Sequence, residues 1–195
     1  MRIGVLGGTF DPIHMGHLII AEDVREKLSL AKIIFIPAGN PWMKEKISDK
    51  EKRFEMTKLA IKNNPFFEIS RMEIEREGPS YTVDTLRILK KKYEEIYFIA
   101  GYDSVSSLPR WKNPDEILRL AFFVGVRRPG CERPDIDELS KSIPGAKEKI
   151  ILLDTPLIEI SSTDIRERVR KGLSIKYLVP PEVEEYIKRE GLYAR

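Results

Sequence analysis

The chain contains a single cysteine, Cys131, among its 195 residues. An internal disulfide is therefore excluded, and the lone thiol favours a reducing compartment. No apolar run approaches the roughly 20 residues that a helix needs to cross a bilayer. A strand-like pattern starts directly at the first residue, and no signal-peptide pattern precedes it. We therefore expect a cytoplasmic protein that has no membrane partner.

The chain also lacks a large excess of positive or negative charge. Lysine and arginine number 34 against 31 for aspartate and glutamate, a net charge of +3 that is spread along the sequence. Nucleic-acid-binding domains instead carry a basic patch or stripe, so we expect no nucleic-acid partner. The hydrophobic fraction of 42% is enough for a packed core, and we expect one domain over residues 1–195.

Short apolar runs alternate with helical patterns along the whole chain. The predicted strands are Arg2–Leu6, Lys32–Ile36, Phe66–Ser70, Ile96–Ala100, Phe122–Val126 and Lys149–Leu153. The clearest helical patterns are Gly16–Leu28, Asp49–Asn63, a helix capped by Ser80, Pro114–Leu120 and Pro181–Arg189. Apolar strands separated by helices predict a mostly parallel sheet with helices on both faces. The predicted fold class is thus α/β, doubly wound and Rossmann-like, with a helical part at about 160–195.

Both histidines of the chain lie in one stretch, Gly7–Leu18, between the first predicted strand and the first predicted helix. Its glycine spacing differs from the G-x-G-x-x-G fingerprint and gives no support to hydride transfer. Glycines let a ligand approach the backbone closely, and a helix start presents N–H groups to an anion. His14 and His17 are three residues apart, so both imidazoles can face one phosphate group. The alternative is a pair of capping or surface histidines.

A second phosphate-binding pattern lies in Ile160–Arg166, near the other end of the chain. Ser161 followed by Asp164 fits the capping pattern of a helix start. The hydroxyl groups of the two residues after Ser161 and the N–H groups of the first turn can hold phosphate oxygens. Arg166, one turn into the helix, can add a bidentate contact. A plain capping box before an amphipathic helix is the alternative.

Together the two stretches resemble the T/HxGH and ISSTxIR motifs of a nucleotidyltransferase superfamily. Members of that superfamily transfer a nucleotidyl group from a nucleoside triphosphate to a phosphate on an acceptor. The resemblance implies that ATP contacts the following residues of this chain: Gly8, Thr9, Phe10, His14, His17, Gly101, Asp103, Ile160, Ser161, Ser162 and Arg166.

The middle of the chain is similar to elements of the bacterial nicotinate mononucleotide adenylyltransferases within that superfamily. The matching stretches are Pro79–Leu86, Gly101–Ser104 and Leu108–Trp111. The resemblance implies that the nicotinate ring lies near Trp111 and that the backbone N–H groups of Thr82 and Ser107 hold its carboxylate. It also implies that Thr85 belongs to the acceptor site.

One loop departs from the family pattern. Many members carry Pro-Pro-His-Lys after the second strand, whereas this chain has Pro41-Trp42-Met43-Lys44. Lys44 is retained and can bind phosphate, with a solvated lysine as the alternative. The role of Trp42 stays open between contact with the nucleotide and local packing.

The reaction that the resemblance implies is transfer of the adenylyl group of ATP to nicotinate mononucleotide. The products are nicotinate adenine dinucleotide and pyrophosphate, in the biosynthesis of NAD. The residues expected to neutralise the charge on the leaving pyrophosphate are His14, His17, Lys44 and Arg166. Mg²⁺ would arrive with ATP, and no metal site of the chain's own is expected.

Two other functions stay open at this point. An enzyme of the same superfamily could act on nicotinamide mononucleotide or on phosphopantetheine. A protein of a different class could bind a nucleotide without catalysis, as a regulatory module. The sequence also leaves open whether the chain forms a homo-oligomer.

Overall fold

The structure is a computed structural model that describes residues 1–41 and 47–194. At its centre lies a sheet of six strands: β1 (Arg2–Gly8), β2 (Lys32–Pro37), β3 (Phe67–Ile69), β4 (Glu95–Gly101), β5 (Phe122–Val126) and β6 (Ile150–Leu153). All neighbouring strands run parallel, in the order β3-β2-β1-β4-β5-β6. The six predicted strands and the doubly wound α/β class are thus confirmed.

Helices connect the strands and cover the sheet. They are α1 (Met15–Lys27), α2 (Lys50–Ile61), α3 (Met72–Glu75), α4 (Thr82–Lys90), α5 (Tyr102–Ser107), α6 (Pro114–Leu120), α7 (Ile136–Ser142), α8 (Ala146–Lys149), α9 (Ser162–Arg170) and α10 (Pro181–Arg189). A 3₁₀ turn, Leu108–Arg110, follows α5. Within the described ranges, no helix has both the length and the apolar character that crossing a membrane requires.

The apolar core lies on both faces of the sheet, because successive residues of a strand point to opposite faces. In β1, Ile3 and Val5 pack on the face covered by α4 and α6, whereas Leu6 packs on the face covered by α1 and α10. The central strands are therefore buried on both sides. This double burial explains why they are near-continuous apolar runs in the sequence.

The direction of winding reverses at β1. From β1 the chain moves outward to β2 and β3, and it then returns to place β4 on the other side of β1. Crossovers on opposite sides leave a crevice at the carboxyl ends of these two central strands, which is where open α/β sheets bind ligands. Gly8 and Gly101 end the two strands at this crevice.

The prediction that Ser80 caps the next helix is wrong. Helix α4 begins at Thr82 and has Tyr81 at its N-cap position without a side-chain cap. The Ser80 hydroxyl oxygen instead accepts hydrogen bonds from the backbone N–H groups of Gly39 (3.1 Å) and Asn40 (3.2 Å). A tertiary contact between the loop after β2 and the start of α4 thus takes precedence over the local capping pattern.

Candidate active site

A cleft of about 700 Å³ opens at the carboxyl ends of β1, β4 and β5. This volume lies within the range of about 300–1,000 Å³ that is usual for small-molecule sites. The cleft is lined from three directions: by the turn between β1 and α1, by the ends of β4 and β5, and by the start of α9. The lining residues include Gly8, Thr9, Phe10, His14, His17, Gly101, Trp111, Arg128, Ile160, Ser161, Ser162 and Arg166.

The two histidines form a stacked pair at the start of α1. His14 is the N-cap residue, and its backbone N–H donates to Nδ1 of His17 at 3.3 Å. The ring centroids of the pair are 3.7 Å apart, with the planes inclined by 29°. The ring of Phe10 meets His17 edge-on at a centroid distance of 5.1 Å. His17 is therefore oriented by ring contacts on two sides.

His14 is buried, with 7% of its surface exposed. Its Nδ1 atom has no hydrogen-bond partner among the described residues. Burial, assisted by the positive charge of Arg128, lowers the pKa of His14 from about 6.5 to about 4. The imidazole is therefore neutral at neutral pH, so in the free protein it offers a neutral ring donor and no positive charge.

The second motif docks directly on the first. The Ser161 side chain caps α9 by accepting from the N–H of Asp164 at 3.0 Å. The Ser162 hydroxyl donates to the carbonyl of Pro12 at 2.8 Å, across 150 residues of sequence. Arg166 Nη1 donates to the carbonyl of Asp11 at 2.7 Å. The start of α9 and the turn before α1 thus form one continuous wall of the cleft.

Trp111 also lines the cleft. It is half-buried, and its ring lies edge-on to the rings of Phe98 (centroids 6.2 Å apart) and Phe123 (5.6 Å). Its Nε1 donates to the Ser107 hydroxyl at 3.3 Å. These contacts fix the indole and leave part of it at the cleft, where a flat ligand ring can stack.

Four of the expected contact residues do not line the cleft. Asp103 and Ser107 belong to α5, and their neighbours Gly101 and Ser104 form part of the lining. Thr82 begins α4, and no residue of that helix lines the cleft. Thr85 is different, because its side chain is only 1% exposed and donates to the buried carboxylate of Glu73. The structure therefore does not bring the Thr85 side chain to the cleft. It faces the interior because α4 turns this residue toward the core.

The loop with Trp42, Met43 and Lys44 lies outside the described residues. The predicted phosphate contact of Lys44 therefore stays a prediction. Among the residues that are described, no group of three or more His, Cys, Asp or Glu side chains could hold a metal ion.

Arg128 is a cleft residue to which the sequence analysis assigned no role. It follows β5, and its charge acts on His14. A Cβ on Gly101 would lie 2.8 Å from Arg128 Nε and 2.3 Å from Asp103 Oδ1. The missing side chain at Gly101 therefore allows both groups to approach the end of β4. A basic residue just past the carboxyl end of a parallel strand was the signal that could have identified it.

Comparison with known proteins gives a consistent assignment. Residues 5–168 match the model of the cytidylyltransferase-like family. A probable nicotinate-nucleotide adenylyltransferase of Thermoanaerobacter sp. is 50% identical over 201 residues, which cover 100% of this chain and 95% of that protein. A protein of the same name from Dehalococcoides mccartyi is 47% identical over 200 residues, covering 100% and 98%.

Solved structures share the fold. The Plasmodium falciparum nicotinic acid mononucleotide adenylyltransferase complexed with NaAD superposes with a TM-score of 0.80 at 21% identity, covering 98% of this chain and 97% of that one. The same enzyme complexed with APC gives a TM-score of 0.76. The family match and the full-length relatives show that the chain belongs to the nicotinate-nucleotide adenylyltransferases, within the cytidylyltransferase-like family.

Proposed function

We propose that this chain transfers the adenylyl group of ATP to nicotinate mononucleotide and releases pyrophosphate. One observation carries the proposal: both phosphate-binding motifs and Trp111 line a single cleft at the point where the winding reverses. The names of relatives at 47% and 50% identity support the same reaction. The product is nicotinate adenine dinucleotide, and we place the reaction in NAD biosynthesis.

The chemistry of the acceptor explains why the cleft needs no catalytic base. The phosphate of nicotinate mononucleotide is already ionised, so its oxygen can attack the α-phosphorus of ATP without losing a proton. One phosphoanhydride bond forms as the bond between the α- and β-phosphates breaks. The protein has to align the two phosphates and stabilise negative charge on the leaving pyrophosphate.

We assign that charge stabilisation to groups from both motifs. Arg166 brings a permanent positive charge, and His17 brings a ring oriented by its neighbours. His14 contributes a hydrogen bond and gains a proton when phosphate approaches. The N–H groups in the first turn of α9 add dipoles that favour an anion. Lys44 completes the set that we propose from the sequence.

The cleft is suited to a metal ion that is bound by the nucleotide and not by the protein's own side chains. The side chains assigned to the phosphates are imidazole, guanidinium and ammonium groups, whereas Mg²⁺ prefers oxygen ligands and keeps several waters. Phosphate oxygens and water would therefore hold the ion. When bound, it would neutralise part of the triphosphate charge.

ATP binding at pH 5.5 is expected to take up protons through His14. The free protein keeps this imidazole neutral because burial and Arg128 lower its pKa to about 4. A triphosphate next to the ring favours the charged form and raises that pKa, so a proton is absorbed on binding. Calorimetric titrations in two buffers of different ionisation enthalpy measure this uptake.

The variant His14→Asn is the matched control for the proton uptake, because the nucleotide's own titration is the same with both proteins. We expect clearly less uptake with the variant. Equal uptake by the two proteins would show that His14 does not change its protonation state when ATP binds.

Nicotinate mononucleotide is expected to be preferred over the nicotinamide form by at least about tenfold in kcat/KM. A carboxylate held by N–H groups makes charge-assisted hydrogen bonds that the neutral amide does not make. The measurement is pyrophosphate release from ATP with nicotinate mononucleotide, nicotinamide mononucleotide and phosphopantetheine in turn.

Each alternative function predicts a different pattern in the acceptor experiment. Faster turnover of nicotinamide mononucleotide or phosphopantetheine would replace the proposed acceptor while keeping the enzyme class. Binding of ATP without pyrophosphate release from any acceptor would instead favour a regulatory nucleotide-binding module.

We further propose that residues 1–195 act as one nucleotidyltransferase domain in the cytoplasm. Its proposed partners are ATP, nicotinate mononucleotide and pyrophosphate, with neither a nucleic acid nor a membrane among them. The oligomeric state is left open.

A further inference from the structure

Asp11 belongs to the phosphate-binding turn, lines the cleft and is contacted from three distant parts of the chain. It is 4% exposed. Its Oδ1 accepts from the Tyr193 hydroxyl at 2.7 Å, and its Oδ2 accepts from the backbone N–H of Ser48 at 3.1 Å. Its backbone carbonyl accepts from Arg166. One residue thus joins the C-terminal segment, the start of α2 and the second phosphate motif.

A fully buried arginine reinforces the same region. Arg53, in α2, has 0% exposure and donates to three backbone carbonyls: those of Thr9 (2.7 Å), Ser48 (3.0 Å) and Gly39 (3.2 Å). Burial lowers the pKa of Arg53, and the negative charge of Asp11 opposes that effect. The buried guanidinium and the buried carboxylate are therefore electrostatically coupled.

The turn is consequently held along most of its length by hydrogen bonds to its carbonyls. Its carbonyls at positions 8, 9, 11 and 12 accept, in that order, from Ala38 N–H, Arg53, Arg166 and Ser162. A peptide unit is planar, so fixing the carbonyls of residues 8, 9 and 12 also fixes the direction of the N–H groups of Thr9, Phe10 and Ile13. These backbone donors are thereby oriented in the absence of a ligand. The residue after Asp11 is Pro12, which has no N–H, so the bond from Arg166 fixes the position of the guanidinium instead.

Tyr193 contributes through its hydroxyl. Its backbone has φ +64°, which is uncommon for a residue other than glycine, so surrounding contacts must hold it. Burial and the charge of Asp11 raise the pKa of Tyr193 far above its ordinary value. The Tyr193 hydroxyl therefore stays protonated well above neutral pH and donates to Asp11 Oδ1.

We propose that Tyr193 and Asp11 are positioning residues for the reaction, an inference that rests on the proposed function. The Tyr193 hydroxyl holds the Asp11 carboxylate, and the Asp11 carbonyl holds Arg166 against the turn that faces the phosphates. Neither residue is assigned a contact with the reacting atoms. Their effect on ATP is transmitted by Arg166.

The variant Tyr193→Phe removes one hydroxyl and tests the proposal. We expect about a tenfold loss in kcat/KM for ATP, the scale of one hydrogen bond to a charged group. The matched control is Tyr186→Phe, in α10, which loses the same atom from a buried tyrosine that packs in the hydrophobic core. The control is expected to keep wild-type activity.

A double-mutant cycle separates positioning from general stabilisation. ATP dissociation constants are measured by calorimetry for wild type, Tyr193→Phe, Arg166→Ala and the double variant. If Tyr193 acts through Arg166, its substitution costs about tenfold in the wild-type background and less than about twofold when Arg166 is absent. Equal factors in both backgrounds, or wild-type affinity of Tyr193→Phe, would overturn the proposal.

A second variant and a measurement on the wild-type protein distinguish a failure of the positioning role from a failure of the proposed function. Asp11→Asn keeps the size of the side chain and weakens its bond with the Tyr193 hydroxyl, so we expect it to show the same coupling to Arg166. Wild-type protein that releases no pyrophosphate from ATP and nicotinate mononucleotide would count against the proposed function. Active wild type with unaffected variants would count against the positioning role alone.

Discussion

His17→Ala is expected to lower kcat for adenylyl transfer by at least about a hundredfold, the scale of losing one electrostatic donor to a transition state. The ring lies in the cleft, stacked on His14 and met edge-on by Phe10, so it is oriented before substrate arrives. Pre-oriented donors stabilise developing charge without reorganisation. Initial rates of pyrophosphate release at saturating ATP and nicotinate mononucleotide measure the effect.

The same substitution also affects the start of α1. His17 Nδ1 accepts from the His14 N–H, and removing a helix cap costs about 1 kcal/mol. His17→Asn supplies an amide oxygen in place of Nδ1 and is expected to recover the thermal midpoint while staying slow. A folded His17→Ala protein with near wild-type turnover would contradict the catalytic role.

Arg166→Ala is expected to reduce kcat/KM for ATP by about a hundredfold or more. The guanidinium lies at the junction of the two motifs, where Nη1 bonds to Asp11 and Nη2 to Thr163 Oγ1 at 3.2 Å. Its remaining N–H groups can donate bidentate hydrogen bonds to phosphate oxygens. Rates as a function of ATP concentration give both kcat and KM.

Two further variants define what Arg166 supplies. Arg170→Ala removes an exposed arginine one turn further along α9 and is expected to leave the rates unchanged. Arg166→Lys keeps the positive charge but loses the planar guanidinium, which can donate two parallel hydrogen bonds to phosphate. We therefore expect it to recover only part of the lost kcat/KM. Full activity of Arg166→Lys would show that charge alone is needed, and full activity of Arg166→Ala would remove this residue from the mechanism.

The architecture follows closely from local sequence patterns. Double burial makes each central strand an apolar run, and the alternation with helices leaves few topologies for a parallel sheet. The winding rule then places Gly8 and Gly101 at one crevice. The expectation that Gly7–Leu18 and Ile160–Arg166 share a ligand came instead from their joint resemblance to a nucleotidyltransferase superfamily, and both stretches line one cleft.

Local sequence patterns could not predict the properties that depend on tertiary packing. Thr85 lies in a stretch that resembles an acceptor-binding element, yet the rotation of α4 buries its side chain against Glu73. Ser80 looks like a cap and instead bonds to the loop after β2. The neutrality of His14 arises from burial and from Arg128, which is distant in sequence. Each outcome depends on which groups meet in space.

The bond between Tyr193 and Asp11 has a consequence for synthesis on the ribosome. The phosphate-binding turn is made before the hydroxyl that holds its carboxylate, which lies 182 residues further along the chain. Contacts of such long range form late in folding. A nascent chain can therefore complete its first strand and helix before Tyr193 is added. Until then Asp11 lacks this hydrogen bond, and we expect the affinity for ATP to be about tenfold lower.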